Sequence, residues 1–229
     1  MHKQLKERVC RANIELVKQK LVIFTWGNVS EIDRRAGVVA IKPSGVSYDD
    51  MKPSDMVLLD LDGNILEGDL RPSSDTPTHL ELYRNFREVG AICHTHSPNA
   101  TMWAQACREI PCFGTTHADH FYGPVPVTRV MTAEEIESDY ELNTGKVIVE
   151  RFAGIDPMER QAVLVANHGP FTWGKNPDKA VENAVVLEQA AAMALGVIQI
   201  NPGQKEISRV LLDKHYLRKH GKDAYYGQK

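Results

Sequence analysis

The chain has 229 residues, of which 42% are hydrophobic and 25% charged, a composition typical of a globular protein with a sizeable core. Its 27 Lys and Arg face 30 Asp and Glu, and the net charge of -3 gives no basic excess that would indicate nucleic acid as a partner. We identify neither a secretory signal nor the roughly 18 consecutive apolar residues of a membrane helix. We therefore expect a cytoplasmic, single-domain protein over residues 1–229 that binds neither nucleic acid nor a membrane.

Strand-like and helix-like stretches interleave along the chain. Apolar residues at Leu5, Val9 and Leu16 follow helical spacing and predict a first helix that ends near Lys20. Strands are predicted over residues 37–42, 55–64, 89–96, 123–127, 146–152 and 161–169. Further helices are predicted over residues 78–89, 99–109, 176–196 and 206–221. This order predicts an α/β fold with helices on both faces of a sheet.

Two histidines, His94 and His96, stand at the end of the apolar run over residues 89–96. Side chains alternate along a strand, so the two rings point to the same side and can converge on one cation. The alternative is that each ring is satisfied by a hydrogen bond of its own. His168 ends another apolar run, and three imidazoles at one sheet edge would leave the full 2+ charge on zinc or a similar ion, with positions open for a substrate.

Two polar segments give weaker signals. Asp75 precedes Thr-Pro and a predicted helix, and its spacing does not distinguish a helix cap from a metal ligand. The segment over residues 114–124 has neither a helical nor a strand pattern, and loops this rich in acid–base groups are candidate catalytic regions. Its titratable side chains are His117, Asp119, His120 and Tyr122.

Seven motifs occur in a recognisable order: TWGNVS, IKPSGVSYDDM, PSSDTPTH, HTHSPNATMWAQA, GTTHADHFYG, NHGPFTWGK and LLDKHYLRKHGKDAYYGQK. Together they resemble the class II aldolase and epimerase family, and within it the L-ribulose 5-phosphate 4-epimerases, over the whole chain. The resemblance implies a single three-layer α/β/α domain with a central, mainly antiparallel sheet. It also implies a phosphosugar substrate, a homotetramer with active sites at subunit interfaces, and a divalent metal ion. Zn²⁺ is usual in the family, Mn²⁺ or another divalent ion would also suit three histidines, and no NAD is expected.

The resemblance also implies roles for individual residues. The metal site would comprise Asp75, His94, His96 and His168. The acid–base groups would be Asp119 and Tyr226, with the tyrosine acting in the site of a neighbouring subunit. The phosphate pocket would comprise Asn28, Lys42, Ser44, Gly45, Ser73 and Ser74. Four further residues match positions near the family's site without a settled role: Thr115, Glu141, His215 and Arg218. Without the resemblance, the last two would be assigned to one face of a solvated helix.

The implied reaction inverts C4 of L-ribulose 5-phosphate and gives D-xylulose 5-phosphate by breaking and re-forming the C3–C4 bond. The nearest alternative is an aldolase of the L-fuculose-phosphate type, which carries glutamate where this chain has Asp75. A non-catalytic module like the adducin head is less favoured, because all three histidines and Asp119 are present. A zinc hydrolase is also less favoured, because the sequence has no His-Glu-x-x-His motif.

Overall fold

The computed structural model describes residues 2–227. Met1, Gln228 and Lys229 lie outside the described residues; they are the two ends of the predicted domain, and the last two also end the seventh motif. Within this range the strands form one seven-stranded sheet in which every neighbouring pair is antiparallel. The strands are β1 (Asn28–Asp33), β2 (Val38–Ile41), β3 (Val57–Leu59), β4 (Ile65–Glu67), β5 (Ala91–His94), β6 (Ala162–Leu164) and β7 (Pro170–Gly174). Their order across the sheet is β4-β3-β2-β1-β5-β7-β6.

Helices cover both faces of this sheet. They are α1 (Lys3–Lys18), α2 (Thr76–Asn85), α3 (Pro98–Gln105), α4 (Thr115–Ala118), α5 (Ala133–Glu137), α6 (Tyr140–Arg151), α7 (Pro177–Ile200) and α8 (Arg209–His220), with a 3-10 turn at Pro53–Asp55. One face packs Ala91 and Cys93 of β5 against α1 and α7. The other packs Ile92 and Trp173 against α2 and α6. The predicted single-domain α/β fold with a mainly antiparallel sheet is confirmed.

Two predicted strands are wrong. Residues 146–152 form the end of α6 and the residue after it, where Val147 and Ile148 are buried, and a short apolar run does not distinguish a strand from a buried helix. Residues 123–127 make only isolated bridges, because Pro124 and Pro126 have no backbone N–H to donate to a ladder.

Strands β1, β4 and β7 were not predicted as separate strands. The first is too polar for the apolar pattern, the second is a three-residue exposed strand at the sheet edge, and the third continues from the run that ends at His168.

Helix α7 is long and apolar enough to span a membrane if length and composition alone are considered. It nevertheless packs against β5, β7 and α3. Two of its polar residues, Asn183 and Glu188, are buried and hydrogen-bonded: Asn183 Nδ2 donates to the Trp173 carbonyl oxygen at 2.8 Å. Asn176 caps its N-terminus, since the Asn176 side chain accepts from the Lys179 N–H at 2.9 Å. These contacts are those of a core helix.

The entry to β5 requires a glycine. Gly90 N donates to the Gly174 carbonyl oxygen at 2.8 Å, and a Cβ at Gly90 would lie against the Lys175 carbonyl. We expect Gly90→Ala to lower the free energy of unfolding by about 1–3 kcal/mol, because the backbone must move apart. As a matched control, Gly196→Ala in α7 meets no atom within 4 Å and should raise stability by up to about 1 kcal/mol. Urea unfolding measures both, and a Gly90→Ala variant as stable as the wild type would contradict the tight approach.

Candidate metal centre and active site

Three imidazoles meet at one edge of the sheet. His94 is the last residue of β5, and His96 follows two residues later, so strand alternation does not itself place the second ring. His168 lies in the tight turn between β6 and β7, where Asn167 adopts a left-handed conformation with φ of 61°. Because β5 pairs with β7, with His94 opposite Phe171, that turn lies beside the end of β5.

The three rings are close enough to share one ion. Ring centroids are 4.9 Å apart for His94 and His96, 4.9 Å for His94 and His168, and 5.0 Å for His96 and His168. Their candidate ligand nitrogens lie within 4.8 Å of one another. His94 Nδ1 donates to the Pro170 carbonyl oxygen at 2.9 Å, which fixes the ring orientation and makes Nε2 the lone-pair nitrogen of His94, 3.2 Å from His96 Nε2.

Burial keeps two of these rings neutral. Burial, together with the neighbouring His94, lowers the pKa of His168 to about 3 and that of His96 to about 4. A neutral imidazole is the form that binds a metal ion. The group is therefore ready to bind a cation at neutral pH.

Asp75 occupies the N-cap position of α2, but its side chain makes no capping hydrogen bond. Its Oδ2 instead accepts from Asn28 Nδ2 at 2.6 Å. Burial opposes ionisation, but the neighbouring His94 and His79 and the Asn28 hydrogen bond outweigh it and hold the pKa of Asp75 below its usual value. The sequence left open whether Asp75 is a helix cap or a metal ligand. These contacts favour a carboxylate that lines the cavity over a helix cap.

These groups line a cavity of about 360 Å³, a size suited to a small ligand. The predicted residues that line it are Asn28, Lys42, Ser44, Gly45, Ser73, Ser74, Asp75, His94, His96, Glu141 and His168. We refer to it as the histidine cavity. The whole predicted phosphate pocket and the whole predicted metal site thus share one space.

Lys42 is a buried cation in this wall. Only 2% of the residue is exposed, and burial lowers its pKa. Nζ donates to the Pro43 carbonyl oxygen at 3.2 Å and lies 4.9 Å from the Tyr48 ring centroid. Within residues 2–227 no carboxylate lies within ion-pair distance of it. A buried ammonium group without a counter-ion favours an anionic ligand.

Sequence reasoning missed two aromatic residues of the cavity. Tyr140 OH lies 3.4 Å from His168 Nδ1, and the Trp26 ring centroid lies 6.1 Å from that of His96. Tyr140 is the first residue of α6, a helix whose second half had been predicted as a strand. Trp26 belongs to the TWGNVS motif, but a single aromatic residue in a loop does not by itself indicate a binding site.

The remaining predicted residues form a separate group. Asp119 does not line the histidine cavity; it accepts from Arg218 Nη2 at 2.9 Å and from His215 Nδ1 at 3.0 Å, both on α8. The Arg218 guanidinium lies 4.7 Å from the Tyr226 ring centroid, and Thr115 is one helical turn before Asp119. Burial opposes ionisation of Asp119, but Arg218, His215 and Lys219 hold its pKa below the usual value. We call Thr115, Asp119, His215, Arg218 and Tyr226 the α8 cluster.

Comparison with known proteins agrees with this geometry. The family model described as "Class II Aldolase and Adducin N-terminal domain" matches residues 7–195. The chain belongs to this family. Class II aldolases use a divalent metal ion, usually Zn²⁺, and the three-histidine group could bind one. Family and site together indicate an enzyme with a phosphosugar substrate.

Solved structures of this family share the fold. The chain is similar to an L-fuculose 1-phosphate aldolase, with 26% identity and a TM-score of 0.81 over 95% of this chain and 96% of that one. It is similar to YgbL from Klebsiella pneumoniae, named as a candidate aldolase/epimerase/decarboxylase. The identity is 22% and the TM-score 0.72, over 93% of this chain and 98% of that one. It is also similar to an L-fuculose-1-phosphate aldolase from Thermus thermophilus, with 22% identity and a TM-score of 0.70 over 89% and 100%.

The neutral histidines make stability depend on pH. The unfolded chain binds these protons near pH 6.5, whereas folded His96 and His168 bind them only near pH 4 and 3. Between these values the unfolded state holds more protons, so the unfolding free energy of the metal-free protein should fall as pH drops below about 6.5. Buried His79 and His117 and half-buried His120 add to this slope, because burial lowers the pKa of each.

Urea unfolding of chelator-treated protein at about pH 7 and about pH 5 measures this effect. His96→Asn removes one of the contributing groups, so its stability should change less between the two pH values. Equal pH dependence in the variant and the wild type would contradict the neutral state assigned to His96.

Proposed function

We propose that the protein is a divalent-metal-dependent L-ribulose-5-phosphate 4-epimerase. The observation that supports it most is the combination, in one cavity, of three converging imidazoles with the buried ammonium group of Lys42. Within this cavity the imidazoles suit a cation and the ammonium group suits a phosphate. The choice of the epimerase among family members rests on the sequence, on Asp75 in PSSDTPTH and on the tyrosine-rich tail that contains Tyr226.

The donor set fits a divalent metal ion. Three nitrogen ligands, one of them oriented by a backbone carbonyl, match the requirement of zinc for a few neutral donors with positions left open. We propose that His94, His96 and His168 hold the ion, with Asp75 as the nearby carboxylate. Mn²⁺ or another divalent ion also suits these donors, and no NAD is required. A bound dication stabilises the negative charge that develops on substrate oxygens as a carbon–carbon bond breaks.

The phosphate would bind beside Lys42 and the serines of the cavity wall. Ser73 and Ser74 lie just before α2, so an anion there also faces the positive end of that helix. Lys42 would supply the positive charge, and Ser44, Gly45 and Asn28 would complete the pocket. Asn28 Nδ2 donates to Ser73 Oγ at 3.0 Å as well as to Asp75, so one amide connects the proposed phosphate pocket with the carboxylate of the proposed metal site.

The chemistry needs bond cleavage, because the hydrogen on C4 is not acidic when the ketone is two carbons away. A base takes the proton of the C4 hydroxyl, and the C3–C4 electron pair moves to the ketone fragment. This gives the enediolate of dihydroxyacetone and glycolaldehyde phosphate. The aldehyde rotates while the pocket holds its phosphate, C3 attacks the other face, and an acid returns a proton to the C4 oxygen. We assign these two proton transfers to Asp119 and Tyr226.

These two groups would reach the substrate from a neighbouring subunit. Arg218 contacts both, with a hydrogen bond of 2.9 Å to Asp119 and a distance of 4.7 Å to the Tyr226 ring, so they form one unit. Tyr226 is 59% exposed and does not line the histidine cavity of its own chain. A homotetramer with sites at its interfaces would place the α8 cluster of one subunit over the cavity of the next. Within that cluster, Thr115 and His215 would support Asp119 and Tyr226. Glu141 instead lines the histidine cavity itself.

A class II sugar-phosphate aldolase of the L-fuculose-phosphate type is the second candidate. The similarity to an L-fuculose 1-phosphate aldolase at 26% identity over 95% of this chain favours it. Such an enzyme would release its aldehyde, whereas the epimerase retains it. A non-catalytic adducin-head-like module is opposed by the intact three-histidine group.

A coupled assay tests the proposal directly. We expect purified protein to form D-xylulose 5-phosphate from L-ribulose 5-phosphate, to lose this activity with a chelator and to regain it with Zn²⁺. The control incubates the protein with dihydroxyacetone phosphate and an aldehyde. Rapid condensation there without any xylulose 5-phosphate formation would exclude the epimerase and favour the aldolase. Full turnover by metal-free protein would contradict the metal role.

Mixing two inactive variants tests the shared site. We expect His96→Asn to lose metal and activity with its fold intact, and Tyr226→Phe to keep metal but lose most epimerisation. If Tyr226 acts in the neighbouring cavity, subunits of the two variants randomly mixed in equal amounts should regain about one quarter of wild-type activity. Each variant mixed with itself is the control. No recovery in hybrids shown to form would place Tyr226 in the site of its own chain or outside the reaction.

A further inference from the structure

Glu188 is a buried carboxylate in the middle of α7. Only 7% of the residue is exposed, and within residues 2–227 no cationic side chain lies within ion-pair distance of it. Its oxygens accept three hydrogen bonds from the start of α3: from Asn99 N at 2.9 Å, from Asn99 Nδ2 at 2.7 Å and from Ala100 N at 3.0 Å. A buried charge is costly unless it is compensated, and here the compensation comes from one helix end.

Helix α3 depends on this contact because it lacks a local cap. Ser97 occupies the N-cap position, and its side chain makes no capping hydrogen bond. The first N–H groups of a helix need acceptors, and a negative charge near them is favourable. Glu188 supplies both from another helix, 89 residues further along the chain from Asn99.

The helix end held by Glu188 adjoins His96. The other two imidazoles are fixed by the sheet: His94 belongs to β5, and His168 lies in a turn closed by the hydrogen bond from Val165 N to the Gly169 carbonyl oxygen at 2.9 Å. His96 lies beyond the last residue of β5, two residues before Pro98, the first residue of α3. On the strand side, Thr95 N donates to the Pro170 carbonyl oxygen at 3.3 Å, and the start of α3 is the attachment on the other side of His96.

We propose that Glu188 is a positioning residue for the metal group: by fixing the N-terminus of α3, it holds the His96 ring against those of His94 and His168. The inference rests on the proposed function only in requiring that the three imidazoles bind a divalent ion. Groups that orient metal ligands affect metal affinity without contacting the ion.

The competing explanation is that Glu188 only stabilises the packing of α3 on α7. The same helix pair offers a matched control, because Trp103 Nε1 donates to the Ala191 carbonyl oxygen at 3.0 Å. Trp103 is 5% exposed and lies seven residues after His96, against three and four for Asn99 and Ala100. Trp103→Phe removes a link between the same two helices at a place remote from the ligand.

The experiment compares wild type, Glu188→Gln and Trp103→Phe, each freed of metal. Zn²⁺ is titrated against a chromophoric chelator, the visible absorption spectrum of the Co²⁺ form is recorded, and urea unfolding gives stability. We expect Glu188→Gln to weaken Zn²⁺ binding about tenfold and to alter the Co²⁺ spectrum. Trp103→Phe should lose stability but keep Zn²⁺ affinity within about twofold of the wild type.

Unchanged affinity and spectrum in Glu188→Gln would overturn the inference and leave the metal site intact. Equal losses of affinity in both variants would also overturn it, because the effect would then follow stability alone. A wild-type protein that binds neither ion would refute the proposed metal site and with it the inference.

If Glu188→Gln does not fold, hydrogen exchange of the wild-type amides tests whether the start of α3 is coupled to the metal group. Bound Zn²⁺ should slow exchange at the amides of Asn99 and Ala100 more than at that of Gln105. Equal slowing along α3 would overturn the inference.

Discussion

The antiparallel pairing of β5 with β7 is the constraint on which the site depends. It places His94 opposite Phe171 and so brings the turn that carries His168 beside the end of β5. The same edge receives the first residues of α2 and α6, with Asp75 and Tyr140. Because the β5–β7 ladder fixes His94 and the start of the strand that follows the His168 turn, two of the three imidazoles are held by sheet hydrogen bonds, whereas His96 also adjoins the start of α3.

Charge is divided within the cavity. Burial keeps His96 and His168 neutral, the pKa of Asp75 is held below its usual value, and Lys42 is buried with no carboxylate of residues 2–227 within ion-pair distance. The imidazoles and Asp75 therefore favour a cation, and Lys42 favours an anion. The acid–base groups proposed for the reaction are in a different place, on the α8 cluster, where Arg218 holds Asp119 and Tyr226 together. The binding site and the proposed proton-transfer groups are thus separate structures of one chain.

Sequence patterns predicted the ligand group better than the elements around it. Apolar runs that end in His94 and His168 indicated a shared edge, because strands of one sheet deliver their end residues together. The apolar run over residues 146–152 predicts a strand, but it forms the end of α6. Its apolar residues are buried because α6 packs on α2, and the local spacing of apolar residues does not reveal that contact. The separation of Asp119 from the cavity also depends on where α8 docks. The sequence did not indicate a role for Glu188. Its hydrogen bonds to the first N–H groups of α3 are visible only once α3 and α7 are packed together.

The amide of Asn28 has a consequence for protein engineering. Because Asn28 Nδ2 donates to Asp75 Oδ2 at 2.6 Å and to Ser73 Oγ at 3.0 Å, a carboxylate one methylene longer at position 75 would displace the first contact and disturb the second. Redesigning the chain toward a different carbon–carbon chemistry through Asp75→Glu alone would therefore leave an orphaned donor in the wall. A compensating change at Asn28 would have to accompany it, which makes these two positions a single unit of design.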